Sequence, residues 1–285
     1  MRAPALAALF GGATFIALSP IWVRLADVGP TASAFWRVAL AVPLLWAACA
    51  LAPRPPRVPR AHRGLLVAAG VAFAGDLAFW HASIQLTSVA NSTLLANLAS
   101  IFVTLAAWLL WRQRPRSLFL AGLALALVGV ALLVRASIAD SSSALRGDGL
   151  GVVTAMFYAA YLMTVKNLRD LGLTTLRLMA VTTTITAAIL LPVALASGDV
   201  LLPASARGWM VLLALAWITH AGGQGLIAHA LAHLPAAFSS VGLLLQPVLA
   251  AAFAWLLLAE PLGALQVAGG LVVLAGIYVA RRGSA

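Results

Sequence analysis

The chain has 285 residues, of which 63% are hydrophobic and 9% are charged, whereas a soluble domain carries about a quarter charged residues. A net charge of +11 on so apolar a chain excludes an ordinary soluble nucleic-acid binder. Cys49 is the lone cysteine, which excludes an intrachain disulfide.

In chain order the apolar stretches are Ala5–Val23, Ala32–Leu51, Gly64–Ile84, Ala90–Trp111, Leu118–Val134, Gly149–Val165, Leu178–Ala196, Trp209–Ala230, Ala236–Leu258 and Leu265–Ala280. A bilayer core of about 30 Å takes roughly 20 residues of helix at ~1.5 Å rise each. The sequence therefore predicts an all-α integral membrane protein with ten transmembrane helices. The first stretch is long enough to span and runs straight into Arg24, so it reads as a span and not as a cleaved leader.

Charge placement orients these spans. With the N-terminus inside, the inner regions hold 13 Lys and Arg, including Arg54, Arg57, Arg60, Arg63, Arg112, Arg114 and Arg116. The outer regions hold 4, which are Arg24, Arg135, Arg146 and Arg207. That bias follows the positive-inside rule. It predicts a multi-pass protein of a bacterial inner (plasma) membrane with both termini cytoplasmic. The basic residues are thus accounted for by topology, and no nucleic-acid partner is expected.

The chain also repeats itself. Ala107-Trp108-Leu109-Leu110 and Ala254-Trp255-Leu256-Leu257 lie 147 residues apart, and Phe15 and Phe157 lie 142 apart. The repeat divides the chain into 1–136, a Ser-rich linker 137–147, and 148–285, which together form one transmembrane domain. Five spans per unit is an odd number, so the second unit must cross in the opposite sense. Inverted repeats are a common construction of secondary transporters.

On these residues the chain resembles the drug/metabolite transporter (DMT) superfamily and its ten-helix EamA-domain branch. The carriers of the resemblance are Ser83–Ala90 followed by Trp108-Leu109-Leu110, then Ala230–Ala236 followed by Leu245-Gln246-Pro247-Val248 and Trp255–Glu260. The placements of Pro20 and Arg37 fit as well. Gln113 departs from a usual Glu, Ser100 from a common Pro, and Arg37 has no exact counterpart in the second unit, where Met179 stands. The resemblance implies a secondary transporter that exports small organic solutes by alternating access. Amino acids are the preferred substrate, aromatic or otherwise neutral, with a proton-coupled exporter of cationic drugs or nucleotide-related metabolites as the alternative.

Candidate site residues are the polar groups that lipid makes expensive. Arg37 lies five residues into the second span and Asp76 eight residues from the outer end of the third, which places them about 8 and 12 Å deep. Similar depth on adjacent spans allows an Arg37–Asp76 ion pair, serving as a helix clamp, a zwitterion site or a proton relay. Trp80 follows Asp76 by one turn. Thr93, Asn97, Ser100 and Thr104 form one face of the fourth span, and such a stripe is either pathway or interhelical glue. Tyr158 and Tyr161 share a side of the sixth span, Trp217, His220 and Gln224 recur in the eighth, and Ser239, Gly242 and Gln246 in the ninth. Substrate contacts are therefore expected from Arg37, Asp76, Trp80, Asn97, Tyr158, Tyr161, Trp217, His220, Gln224 and Gln246. Asp76 and His220 are the groups suited to a proton. No His/Cys/Asp/Glu spacing suits a metal, no catalytic set or phosphate loop is present, and no cofactor or enzymatic activity is expected. The partners implied are a small-molecule substrate and the lipid bilayer.

Overall fold

The computed structural model describes residues 3–52, 59–86, 92, 95–135, 144–259 and 263–284. They form helices α1 (Ala3–Leu25), α2 (Pro30–Leu51), α3 (Arg60–Leu86), α4 (Ala99–Trp111), α5 (Ser117–Arg135), α6 (Ala144–Asp170), α7 (Thr175–Ala196), α8 (Ala206–Leu231), α9 (Ala236–Leu258) and α10 (Ala264–Gly283). Among the described residues eight helices are long and apolar enough to cross a membrane, and α4 and α5 are shorter apolar helices. α6 begins at Ala144, so the last residues of the expected linker are helical. Thr93 and most of the join between the two units lie outside the described residues.

Four helices are broken, and most breaks have a covalent cause. Proline has no N–H to give the preceding turn. α1 is interrupted at Leu18 just before Ser19-Pro20, α2 at Leu40 ahead of Pro43, and α9 at Leu243–Leu244 ahead of Pro247. α4 is preceded by a matching turn at Asn97–Leu98, although Ser100 stands where the second unit has Pro247. Here the Asn97 carbonyl accepts both the Ser100 N–H at 3.3 Å and the Ser100 hydroxyl at 3.0 Å. α8 departs from α-helical winding without any proline, as a π-helical stretch over Leu215–Gln224.

Helix packing is paired. α1 runs along α8 and α3 along α6, α4 meets α6 and α9 meets α1, while α2 lies on α7 and α5 on α10. Exchanging each of the first five helices with the one five places later leaves that set of neighbours unchanged. The α5–α10 seam is made of backbone against backbone. A Cβ at Gly122 would lie 2.8 Å from the Gly276 carbonyl, one at Gly129 2.8 Å from the Gly269 carbonyl, and one at Gly283 2.7 Å from the Phe119 Cα. The partner's number falls as the first rises, so α5 and α10 are antiparallel. Small residues at such a seam let helices approach closely where lipid supplies no hydrophobic drive between them.

α2 and α7 are also antiparallel, and their loops are tied together at one end of the bundle. The Asp199 carboxylate accepts the backbone N–H groups of Thr31 (2.8 Å) and Ala32 (3.4 Å), capping the first turn of α2. In exchange Asp27 accepts the amide (3.2 Å) and hydroxyl (2.9 Å) of Ser205, the N-cap of α8, whose own oxygen takes the Gly208 N–H at 2.9 Å. Trp36 Nε1 donates to the Leu201 carbonyl at 2.7 Å, and its ring meets Trp209 edge-on at 5.1 Å. The outer surface of the bundle is apolar: Leu109 and Leu256 are 72% and 65% exposed, and the repeated Trp108 and Trp255 stand out beside them. Exposed apolar bands of this extent belong against lipid tails.

Candidate functional site

The helix irregularities converge. One cavity of about 130 Å3, roughly an order of magnitude more than one water needs, is lined at the α1 break by Ala17, Ser19 and Pro20, ahead of α4 by Ala96 and Asn97, and after the α9 break by Gln246 and Pro247. Gln224 ends the π stretch of α8 on the same wall. α2 supplies Arg37, one turn before its break, and the intact helices supply the α3 row Phe73, Asp76, Leu77 and Trp80, and Thr154 with Tyr158 from α6. Non-helical backbone at membrane depth is tolerated where it lines such a cavity.

Seven of the expected residues meet here: Arg37, Asp76, Trp80, Asn97, Tyr158, Gln224 and Gln246. The expected Arg37–Asp76 ion pair does not form. An ion pair is formed by Lys166 and Asp170, at the exposed end of α6. Arg37 Nη1 instead donates to Ser19 Oγ at 3.2 Å, and its Nε has no partner. The α1 break turns the Ser19 hydroxyl toward α2 and supplies a neutral acceptor, so the guanidinium is held without its charge being cancelled by contact. A charge kept from water in this way is costly unless something else compensates it.

The deeper wall is neutral and polar. The Tyr158 hydroxyl lies beside the side chains of Gln224 and Gln246. Gln224 Oε1 and Gln246 Nε2 are buried without a hydrogen-bond partner. Buried amide atoms without a partner are rare in folded proteins.

Three expected residues stand elsewhere. Tyr161 is one layer behind the cavity, its ring 4.7 Å from Phe73 and its hydroxyl 3.9 Å from Met179 Sδ. His220 is in the same second layer, with its ring 5.3 Å from Phe73 and Nε2 2.9 Å from Thr183 Oγ1. Trp217 lies off the cavity: it is 47% exposed on the periphery of the bundle and donates Nε1 to the Leu40 carbonyl at 3.1 Å. In an α-helix residues seven apart share a face, but the π stretch between Trp217 and Gln224 winds by i→i+5 and separates them. The fourth-span stripe also resolves differently from expectation. Thr104 bonds the Ser100 carbonyl at 2.7 Å, so Ser100 and Thr104 serve their own helix, and Asn97 alone of the described stripe lines the cavity. Ser19 and Phe73 are cavity residues that sequence reasoning missed. Ser19 carried one signal, its place before Pro20 at a helix break; Phe73 is indistinguishable by type from the other apolar residues of its span.

A bundle of apolar helices whose broken segments line a charged cavity is a construction found in secondary transporters. A profile of the EamA-like transporter family matches residues 3–135 and 145–282. The chain belongs to that family, and through it to the drug/metabolite transporter superfamily. A solved structure described as a crystal structure of a protein superposes with a TM-score of 0.85 over 99% of both chains. At 16% identity that likeness shows the shared fold. No curated protein matches the chain in sequence.

Proposed function

We propose that this protein is a secondary transporter that exports amino acids, neutral or aromatic, across a bacterial inner membrane by alternating access. The observation that carries the reading is the placement of Arg37 and Asp76 on one cavity without contact between them. A guanidinium and a carboxylate held apart offer separate partners for the carboxylate and the ammonium of a zwitterion. The aromatic and aliphatic walls, with Trp80, Leu77 and Ile16 among them, suit an apolar side chain.

Two inverted five-helix halves are supported by the antiparallel α2–α7 and α5–α10 pairs and by neighbours that are unchanged when the halves are exchanged. Rocking of such halves about a central site is the usual route to alternating access. The charge bias supports cytoplasmic termini. Asp76 is the acidic group on the cavity, and it also supports the second reading, a proton-coupled exporter of cationic solutes.

Counterflow in proteoliposomes separates the two. Vesicles loaded with unlabelled amino acids, metabolites or cationic drugs are offered labelled amino acids, with and without a pH gradient. Saturable amino-acid exchange that persists without the gradient is expected. Exchange of cations alone, or only with a gradient, would overturn the amino-acid reading in favour of the second.

A further inference from the structure

We infer that Phe73 is the specificity-determining residue of the cavity, a fixed ring that limits the bulk of the apolar part of the solute. The inference rests on reading the cavity as the solute site, and it does not depend on which charged group the solute carries.

Phe73 lies one turn before Asp76 on α3 and lines the same cavity as Arg37 and Asp76. A solute anchored at either charged group has its remaining atoms among the apolar linings, of which this ring is one. Ile16, an apolar lining that is only partly buried, is a flexible aliphatic chain that yields by changing rotamer. Phe73 has nowhere to move. It is 2% exposed, and two rings from different helices close its rear: Tyr161 of α6 at 4.7 Å and His220 of α8 at 5.3 Å. Both of those are held in turn by α7, Tyr161 against Met179 Sδ and His220 by Thr183 Oγ1. Four helices thus fix one wall. A supported wall discriminates by size, because packed interiors do not deform continuously. One methylene too many or too few in an apolar pocket changes selection by roughly 10- to 200-fold.

The test measures binding to the purified full-length protein by its tryptophan fluorescence and by thermal shift. Three ligand series carry matched side chains from methyl to indolylmethyl: α-amino acids, the corresponding amines, and the corresponding carboxylates. Wild type, Phe73→Leu, Phe73→Ala and Phe73→Trp are compared, with Leu109→Ala on the lipid face as a control. In whichever series binds, Phe73→Leu and Phe73→Ala should move the best-bound side chain to larger members by ~10-fold in relative affinity, and Phe73→Trp to smaller ones. Two variants of opposite sign keep the test valid if one fails to fold. An unchanged ranking, with all affinities scaled together, would overturn the inference. Binding of amines but not of amino acids, with the ranking still shifted, would overturn the zwitterion reading and leave Phe73 as assigned. Binding by none of the three series would overturn both.

Discussion

Arg112 and Ala259 stand 147 residues apart and share one backbone state, with φ of 53° and 54°, the two non-glycine residues in left-handed conformation among those described. Each ends a helix after a Trp-Leu-Leu motif, and each returns its N–H to a residue five back, Ala107 and Ala254 respectively. The repeat thus extends from residue types to a strained helix terminus. A left-handed residue with a Cβ costs roughly 1–2 kcal/mol, and glycine removes that cost.

Ala259→Gly should therefore raise thermal stability, by about 1 kcal/mol. The expected readout is a higher Tm for the detergent-purified protein. No gain would show that the αL terminus is not strained.

Because Arg37 and Asp76 do not touch, exchanging them should not restore function. Arg37→Gln should weaken uptake of amino acids about 10- to 100-fold, the range for losing a hydrogen bond to a charged group. Asp76→Asn should do likewise. The double exchange Arg37→Asp with Asp76→Arg should remain as poor as either single change in counterflow. Recovery in the double variant would restore the ion-pair clamp.

Glycines separate into two groups with opposite signs. A Cβ at Gly122 meets the backbone of α10, whereas nothing lies within 4 Å of one at Gly225. Gly122→Val should force α5 from α10 and destabilise the protein by about 1–3 kcal/mol. Gly225→Ala should stabilise α8 by ~1 kcal/mol. Thermal unfolding of the two variants side by side checks both signs.

Removing the caps exchanged between loops should cost stability without altering the cavity. Asp199→Ala leaves the Thr31 and Ala32 amides without their acceptor, a loss of about 0.5–2 kcal/mol by the usual worth of a cap. Asp27→Ala should cost a similar amount through Ser205. Tm together with ligand affinity makes the comparison: a lower Tm with unchanged affinity is expected.

Much of the architecture was legible because lipid enforces simple rules. Spanning length, charge bias and the 147-residue repeat depend on composition and spacing alone. That Arg37 and Asp76 line a cavity was legible for a related reason, since a formal charge in a span demands an explanation. Their separation was not, because depth along two helices says nothing of rotation about either. That Trp217 lies off the cavity was not legible, because face-sharing assumes α-helical winding, which fails across the π stretch. Phe73 was hidden for the opposite reason. Its role comes from Tyr161 and His220 on other helices, and a contact between distant segments leaves no local pattern.

The crossed caps of Asp27 and Asp199 bear on how the protein is made. The α2 amides that Asp199 satisfies belong to an early span, yet Asp199 follows them by 168 residues. During synthesis this cap on the first turn of α2 cannot form until the α7–α8 loop has been made. The Ser205 end of α8, by contrast, finds Asp27 already in place. Assembly at this end of the bundle is therefore ordered, and its last fastening waits on late translation. A nascent chain halted before α7 should be more open to a protease near Pro30 than one extended past Asp199.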